Sequence, residues 1–88
     1  MEQTTTLNNL KVGEIAEVVK INSNNPALKR RIMDMGITKG VKIKIVKIAP
    51  LGDPVQIELR GYMLSIRKEN LKLIECKVLT KGKFELTK

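Results

Sequence analysis

The sequence predicts a small, mainly β domain in which five short strands form an open barrel and one helix follows the first strand. Two observations support this fold class. Short runs that alternate apolar and polar side chains recur at close spacing, with turn residues between them. One stretch, residues 26–35, instead repeats its apolar side chains at helical spacing. At 88 residues the chain has room for one domain with a compact core.

The first strand is predicted over residues 14–21, where β-branched side chains partly alternate with polar ones. A polar run, residues 22–25, ends it. Pro26 suits the first position of a helix, and Asn25 is available as its N-cap. The sequence therefore predicts a short helix over residues 26–35.

The predicted helix has one apolar face, because its apolar side chains fall at i, i+4 and i+7. These side chains are Leu28, Ile32 and Met35. Gly36 is placed to end the helix in the left-handed conformation, and Ile37 then follows as a hydrophobic contact. The helix is thus expected to pack against the barrel by one side only.

Four further strands are predicted after the helix. They cover residues 41–48, 55–60, 63–67 and 71–76. The alternation slips at Ile45 and Val46, which indicates a β-bulge. Two prolines and a glycine mark residues 49–54 as a loop, and Gly61 falls at a hairpin turn. Strands this short that also bend are typical of a small SH3-like barrel.

The domain is expected to cover residues 7–76. Residues 1–6 carry no strong pattern and are predicted to be a flexible amino-terminal segment. Residues 77–88 are rich in lysine and are predicted to be either a basic tail or an added edge strand.

The composition argues against catalysis, cofactor binding and metal binding. The chain has no histidine and one cysteine, Cys76, so a zinc site or a histidine-activated nucleophile has no residues to form it. The glycines do not have the spacing of a phosphate-binding loop. Cys76 is expected to be a small buried side chain. We therefore expect no catalytic, cofactor or metal residues.

The charge of the chain indicates a binding function. The net charge is +8, and residues 28–47 hold seven basic side chains against Asp34 alone. Such a field suits an acidic protein surface or nucleic acid. Tyr62 and Phe84 are the only aromatic residues, so a platform for base stacking is absent from the sequence. This observation favours a protein partner.

The sequence also predicts a cytoplasmic protein. Its apolar runs are all much shorter than the ~20 residues of a membrane-spanning helix. The first ten residues lack the basic cluster and the apolar stretch of a secretory signal.

The chain resembles the FeoA family in several short motifs and in their order. In this sequence the motifs are Leu10-x-x-Gly13, residues 30–37 (RRIMDMGI), Gly40, residues 49–55 (APLGDPV), Arg60-Gly61 and residues 64–67 (LSIR). The resemblance spans residues 7–75. Ile32 stands where the family more often has leucine. Each motif is weak by itself, and the shared order is what makes the match specific.

The resemblance implies an SH3-like barrel with an inserted helix that acts with FeoB. FeoB is a membrane protein with a cytoplasmic GTPase domain and a ferrous iron permease. The docking surface is predicted on the helix and its flanking turns, at Lys29, Arg30, Arg31, Met33 and Lys39. Two alternatives stay open: a nucleic-acid-binding basic barrel, and a regulatory domain like the C-terminal barrel of iron-dependent repressors.

Overall fold

A computed structural model describes residues 4–80 as one antiparallel sheet of six strands with two helices. The strands pair in the order β1-β6-β2-β3-β4-β5. In chain order the elements are β1 (Thr4–Thr6), a 3-10 turn (Leu7–Asn9), β2 (Ile15–Ile21), α1 (Pro26–Asp34), β3 (Lys42–Ile48), β4 (Val55–Leu59), β5 (Tyr62–Ile66), α2 (Lys68–Leu71) and β6 (Ile74–Val78).

Alternation along the strands builds the core. In β4 the side chains of Val55, Ile57 and Leu59 are buried, and Glu58 between them is exposed. Successive side chains of a strand point to opposite faces, so one face of the sheet encloses the core and the other meets water. The lysines of β3 lie on the water face, as the sequence predicts.

Two bulges bend the long strands. The pairing of β3 with β4 shifts register between Ile45 and Lys47, which confirms the predicted bulge. The pairing of β2 with β6 shifts between Val18 and Lys20. A bulge adds one residue on one strand and sharpens the local twist. These bends let a sheet of short strands curl around one core.

Helix α1 begins and ends where the sequence predicts, within one residue. The Asn25 side chain accepts hydrogen bonds from the backbone N–H groups of Ala27 (3.0 Å) and Leu28 (3.2 Å). Ile32 is completely buried, and Gly36 has φ +98° just after the helix. One capped end and one buried side chain therefore fix the helix against the barrel.

Replacing Asn25 with alanine should lower the free energy of unfolding by about 1 kcal/mol, because two N–H groups of α1 lose their acceptor. Urea unfolding followed by circular dichroism measures this change. Asn25→Asp keeps the acceptor oxygen and should stay close to the wild type. Asn24→Ala is the matched control on an exposed neighbour. Equal losses in Asn24→Ala and Asn25→Ala would contradict the capping role.

The β4–β5 hairpin holds the end of α1. Arg60 and Gly61 form its two-residue turn, with φ of 51° and 84°. The Tyr62 hydroxyl donates a hydrogen bond to the Met35 carbonyl oxygen. The Arg60 guanidinium donates another to the Thr38 hydroxyl, at 3.2 Å. The hairpin thus fixes the chain between α1 and β3.

Asp53 joins the loop before β4 to helix α2. Its Oδ1 accepts a hydrogen bond from the Lys68 backbone N–H at 2.8 Å, at the start of α2. Its Oδ2 lies 3.8 Å from an Arg67 guanidinium nitrogen. Both side chains of this ion pair are exposed, so the backbone contact matters more than the charge.

The structure differs from the sequence-based prediction at the amino-terminal segment. Residues 1–6 are predicted to be flexible, whereas Thr4–Thr6 form β1 and pair with β6 through Thr4↔Lys77, Thr5↔Cys76 and Thr6↔Glu75. Within residues 4–80 the sheet therefore has six strands, where the sequence predicts five. Threonine is β-branched and suits a strand, but three threonines carry no apolar alternation that would mark one.

Two differences fall near the other end. Residues 68–70 fall between two predicted strands, and in the structure they belong to the single helical turn α2. The last strand is predicted over residues 71–76, and β6 instead runs through Lys77 and Val78. The predicted basic tail or added edge strand continues beyond Val78, and residues 81–88 of it lie outside the described residues.

Candidate docking groove

The solvent face of α1 presents two of the predicted docking residues side by side. Lys29 and Met33 are four residues apart, so they lie one above the other on the helix surface. The Met33 side chain is 44% exposed and is therefore accessible to a partner. The adjacent Ile32 is completely buried and packs this turn of the helix against the core.

A shallow cavity of about 170 Å³ separates this helix face from the end of β2. We call it the α1 groove. Its three walls come from β2, from α1 and from the turn that precedes β3. Its lining residues are Val19, Lys20, Ile21, Lys29, Met33, Thr38 and Lys39. Three of these residues are apolar and three are lysines.

A second, more open cavity of about 810 Å³ adjoins the groove near the start of α1. The two cavities share Lys20, Ile21 and Lys29 in their linings. Neither lining contains an aspartate or glutamate from the part of the chain that the structure describes. The charged side chains that line both cavities are therefore all basic, and Glu75, opposite Lys20 on β6, is a neighbouring acidic group.

The structure brings together three of the five predicted docking residues. Lys29, Met33 and Lys39 line the α1 groove. Arg30 and Arg31 are exposed on α1 but do not line it. Each residue of a helix turns about 100° from the last, so neighbours in sequence diverge around the helix axis.

Sequence reasoning missed the β2 wall and one residue of the turn. Lys20 and Thr38 both line the groove, and neither is among the predicted docking residues. Lys20 lies at the end of a strand beside the buried Ile21, and only the position of α1 shows that it faces a cavity. A lysine near the end of the strand that precedes the helix is the available signal, and it is weak.

A family model described as the FeoA domain matches residues 5–78. The chain belongs to the FeoA family. A curated relative from Porphyromonas gingivalis, an Fe(2+) transport protein A/Fe(2+) transporter FeoB fusion protein, is 32% identical over 74 residues. That match covers 84% of this chain and 9% of the relative, so the FeoA domain spans about a tenth of the fusion protein.

Solved structures show the same fold. An FeoA-like protein from Clostridium acetobutylicum is 40% identical with a TM-score of 0.83, and the match covers 92% of this chain and 93% of that one. Stenotrophomonas maltophilia FeoA, described as a prokaryotic SH3 domain protein, is 24% identical with a TM-score of 0.72 over 82% of this chain and 88% of that one. The predicted SH3-like fold is confirmed.

The fold also occurs in a manganese-dependent transcriptional repressor. The match has a TM-score of 0.80 and 14% identity, and it covers 86% of this chain and 37% of the repressor. At that identity the likeness concerns the fold alone. It agrees with the weaker resemblance to repressor barrels that the sequence suggests.

Cys76 is a core side chain of this FeoA domain. It is fully buried on β6, between Thr5 of β1 and Val18 of β2 in the sheet register. Burial, and secondarily the charge of Glu75, raise the pKa of the Cys76 thiol to about 11. The expectation of a small buried side chain is confirmed.

Among residues 4–80 no three acidic or cysteine side chains group as metal ligands, and no helix is long and apolar enough to span a membrane.

The Cys76 thiol should make stability depend on alkaline pH. Its folded-state pKa lies above the ordinary value of 9.0, so folding favours the neutral thiol. That contribution is complete below pH 9 and is lost as the pH rises through about 11. Urea unfolding of the wild type and of Cys76→Ala at pH 8 and pH 11 should show their stability difference shrinking. Lysine ionisation affects both proteins alike, and a difference that stays constant would contradict this assignment.

Proposed function

We propose that this FeoA domain is a cytoplasmic accessory protein for ferrous iron uptake. It binds the cytoplasmic GTPase region of FeoB and modulates the activity of the transporter by binding, without catalysis of its own. The observation that carries the proposal is the fusion relative, in which a matching FeoA segment and a FeoB transporter are one protein. Segments joined in one chain act in the same place at a high effective concentration.

The charge of the domain supports an acidic partner surface. The net charge is +8, and α1 with its flanking turn exposes Lys29, Arg30, Arg31 and Lys39. Charge of one sign steers an oppositely charged partner and speeds association. The exposed Met33 lies within this charged face, and an apolar side chain at the centre of a polar rim is the usual form of a binding anchor.

The test is a binding titration against the purified cytoplasmic region of FeoB from the same organism. Duplex DNA and single-stranded RNA serve as parallel ligands. We expect saturable binding to FeoB at physiological salt, a change in its rate of GTP hydrolysis, and only salt-sensitive binding to nucleic acid. Binding to nucleic acid alone, or normal ferrous uptake in a clean deletion strain, would overturn the proposal.

Charge reversal identifies the face that binds. Lys29→Glu/Lys39→Glu should weaken FeoB binding by at least about tenfold, because two attractive charges become repulsive. Lys42→Glu/Lys44→Glu makes the same change in net charge on the exposed side of β3 and is the matched control. Arg30→Glu/Arg31→Glu decides whether the arginines outside the groove also contact FeoB. Equal losses in all three variants would indicate steering by net charge alone.

A further inference from the structure

Strand β2 has a partner on both sides along only half of its length. It pairs with β6 from Ala16 to Ile21. Its pairing with β3 covers Ile15, Ala16 and Glu17 alone. The second half of β2 therefore has a strand neighbour on one side within residues 4–80.

The backbone shows where β3 leaves β2. The Val18 N–H donates to the Val41 carbonyl at 2.9 Å, and the Gly40 N–H donates to the Val18 carbonyl at 2.8 Å. Beyond this point the chain turns through Lys39 and Thr38 towards α1. An unpaired strand edge presents backbone N–H and C=O groups to an incoming strand. The bulge between Val18 and Lys20 lies at the start of this stretch, and Val19, Lys20 and Ile21 form the short edge that faces away from β6.

The α1 groove lies directly along this open edge. Val19, Lys20 and Ile21 are one wall of it, and Met33 is on the facing wall. Any segment that paired with the edge would place alternate side chains into the groove. The groove would offer that segment three apolar side chains and three cationic groups.

We propose that the open edge of β2 receives an extended acidic segment of the partner as an additional strand. An apolar side chain of the segment packs on Val19 and Met33, and its carboxylates lie near Lys20, Lys29 and Lys39. Strand addition of this kind takes its affinity from main-chain hydrogen bonds and its specificity from alternate side-chain pockets. The identity of the partner as the cytoplasmic region of FeoB rests on the proposed function.

Charge decides which occupant fits. Three lysines and no acidic side chain line the groove, so its lining attracts an acidic segment. A second copy of this chain is a poor occupant, because each copy has a net charge of +8 and would bring more positive charge to the lysines. Met33 is unbranched and flexible, which allows it to adapt to an apolar side chain of the segment.

The probe is a synthetic hexapeptide, capped at both ends, in which threonine alternates with glutamate, leucine and glutamate in turn. One face of the extended peptide then carries one apolar and two acidic side chains. Two further peptides carry N-methyl groups on alternate residues, one in each phase. A strand that pairs by one edge uses the N–H groups of one phase only. We expect one N-methylated peptide to bind at least about tenfold more weakly than the parent, and the other to bind like it. Amide signals of Val19, Lys20 and Ile21 should shift on binding of the parent.

Substitutions test which side chains of the groove take part in binding. Lys20→Glu/Lys29→Glu and Met33→Ala should each weaken binding of the peptide and of the FeoB region. Lys42→Glu/Lys44→Glu and Met63→Ala are the matched controls, since Met63 is 51% exposed on β5 outside the groove. The parent peptide should compete with the FeoB region for the domain.

The outcomes separate this inference from the proposed function. Equal binding of both N-methylated peptides, or no binding of the parent peptide, would overturn strand addition. Normal FeoB binding by the groove variants would also overturn it, while the accessory role remained supported. Peptide binding at Val19, Lys20 and Ile21 with no binding of FeoB would support the strand-addition site and overturn FeoB as its partner.

Discussion

Replacing Gly36 with alanine is expected to lower the free energy of unfolding by about 2–4 kcal/mol. The backbone φ of +98° is costly for any residue with a Cβ, by about 1–2 kcal/mol. An added Cβ would also overlap the Tyr62 hydroxyl and meet Leu59 Cδ1 at 3.5 Å. Tyr62 would have to move, and its hydrogen bond to the Met35 carbonyl would be lost. The end of α1 would then lose its attachment to the hairpin.

Gly13→Ala is the control for backbone strain. Gly13 has a similar φ of +94°, and a Cβ there would meet nothing within 4 Å. Urea unfolding of the two variants should show a larger loss for Gly36→Ala. A Tyr62→Phe background removes the overlapping oxygen. In that background the stability lost by Gly36→Ala should come closer to the stability lost by Gly13→Ala. Equal losses at Gly36 and Gly13 would show that the close contact with Tyr62 has no energetic weight.

Replacing Ile32 with alanine is expected to remove about 2–5 kcal/mol of stability, the range for buried aliphatic side chains cut to a methyl group. Ile32 is completely buried and belongs to the core cluster, beside the partly buried Leu28 and Met35 of the same helix. A domain this small is typically stable by only about 5–10 kcal/mol. The loss would therefore be a large fraction of the total stability of the domain.

Met33→Ala is the neighbour control for Ile32→Ala. Met33 is 44% exposed, so its truncation should change stability by about 0.5 kcal/mol or less. Thermal and urea unfolding measure both variants. The pair also separates folding from binding, because Met33→Ala should weaken partner binding in a domain that remains folded. A large loss of stability in Met33→Ala would remove that separation and contradict its placement on the solvent face.

The sequence predicts the elements whose signals are local. Asn25 and Pro26 mark the start of α1, Gly36 marks its end, and the break in alternation at Ile45 marks the bulge in β3. Each signal arises within a few residues and needs no knowledge of the rest of the chain. Strand β1 is different, because Thr4–Thr6 become a strand only where β6 lies beside them, about seventy residues later.

The groove could be predicted only in part for a related reason. Nearness in sequence groups Lys29, Arg30 and Arg31 as one cluster, but the helix turns the arginines away from the groove. Lys20 belongs to the groove because β3 separates from β2 at Val18, and no local pattern encodes where two strands part. The sequence therefore shows which residues are charged, but it does not show which of them share one surface.

The position of β6 has a consequence for how the domain is synthesised. Of the six strands, β6 leaves the ribosome last, yet it lies between β1 and β2, the two that emerge first. Until Ile74–Val78 have been synthesised, β1 has no strand to pair with. Strand β2 likewise lacks its partner on the edge where Val18 lies opposite Cys76. The nascent chain can form local pieces such as the β4–β5 hairpin, but it must wait for its final strand before the sheet is complete. Completion of the sheet in this FeoA domain therefore depends on pairing across long sequence separations.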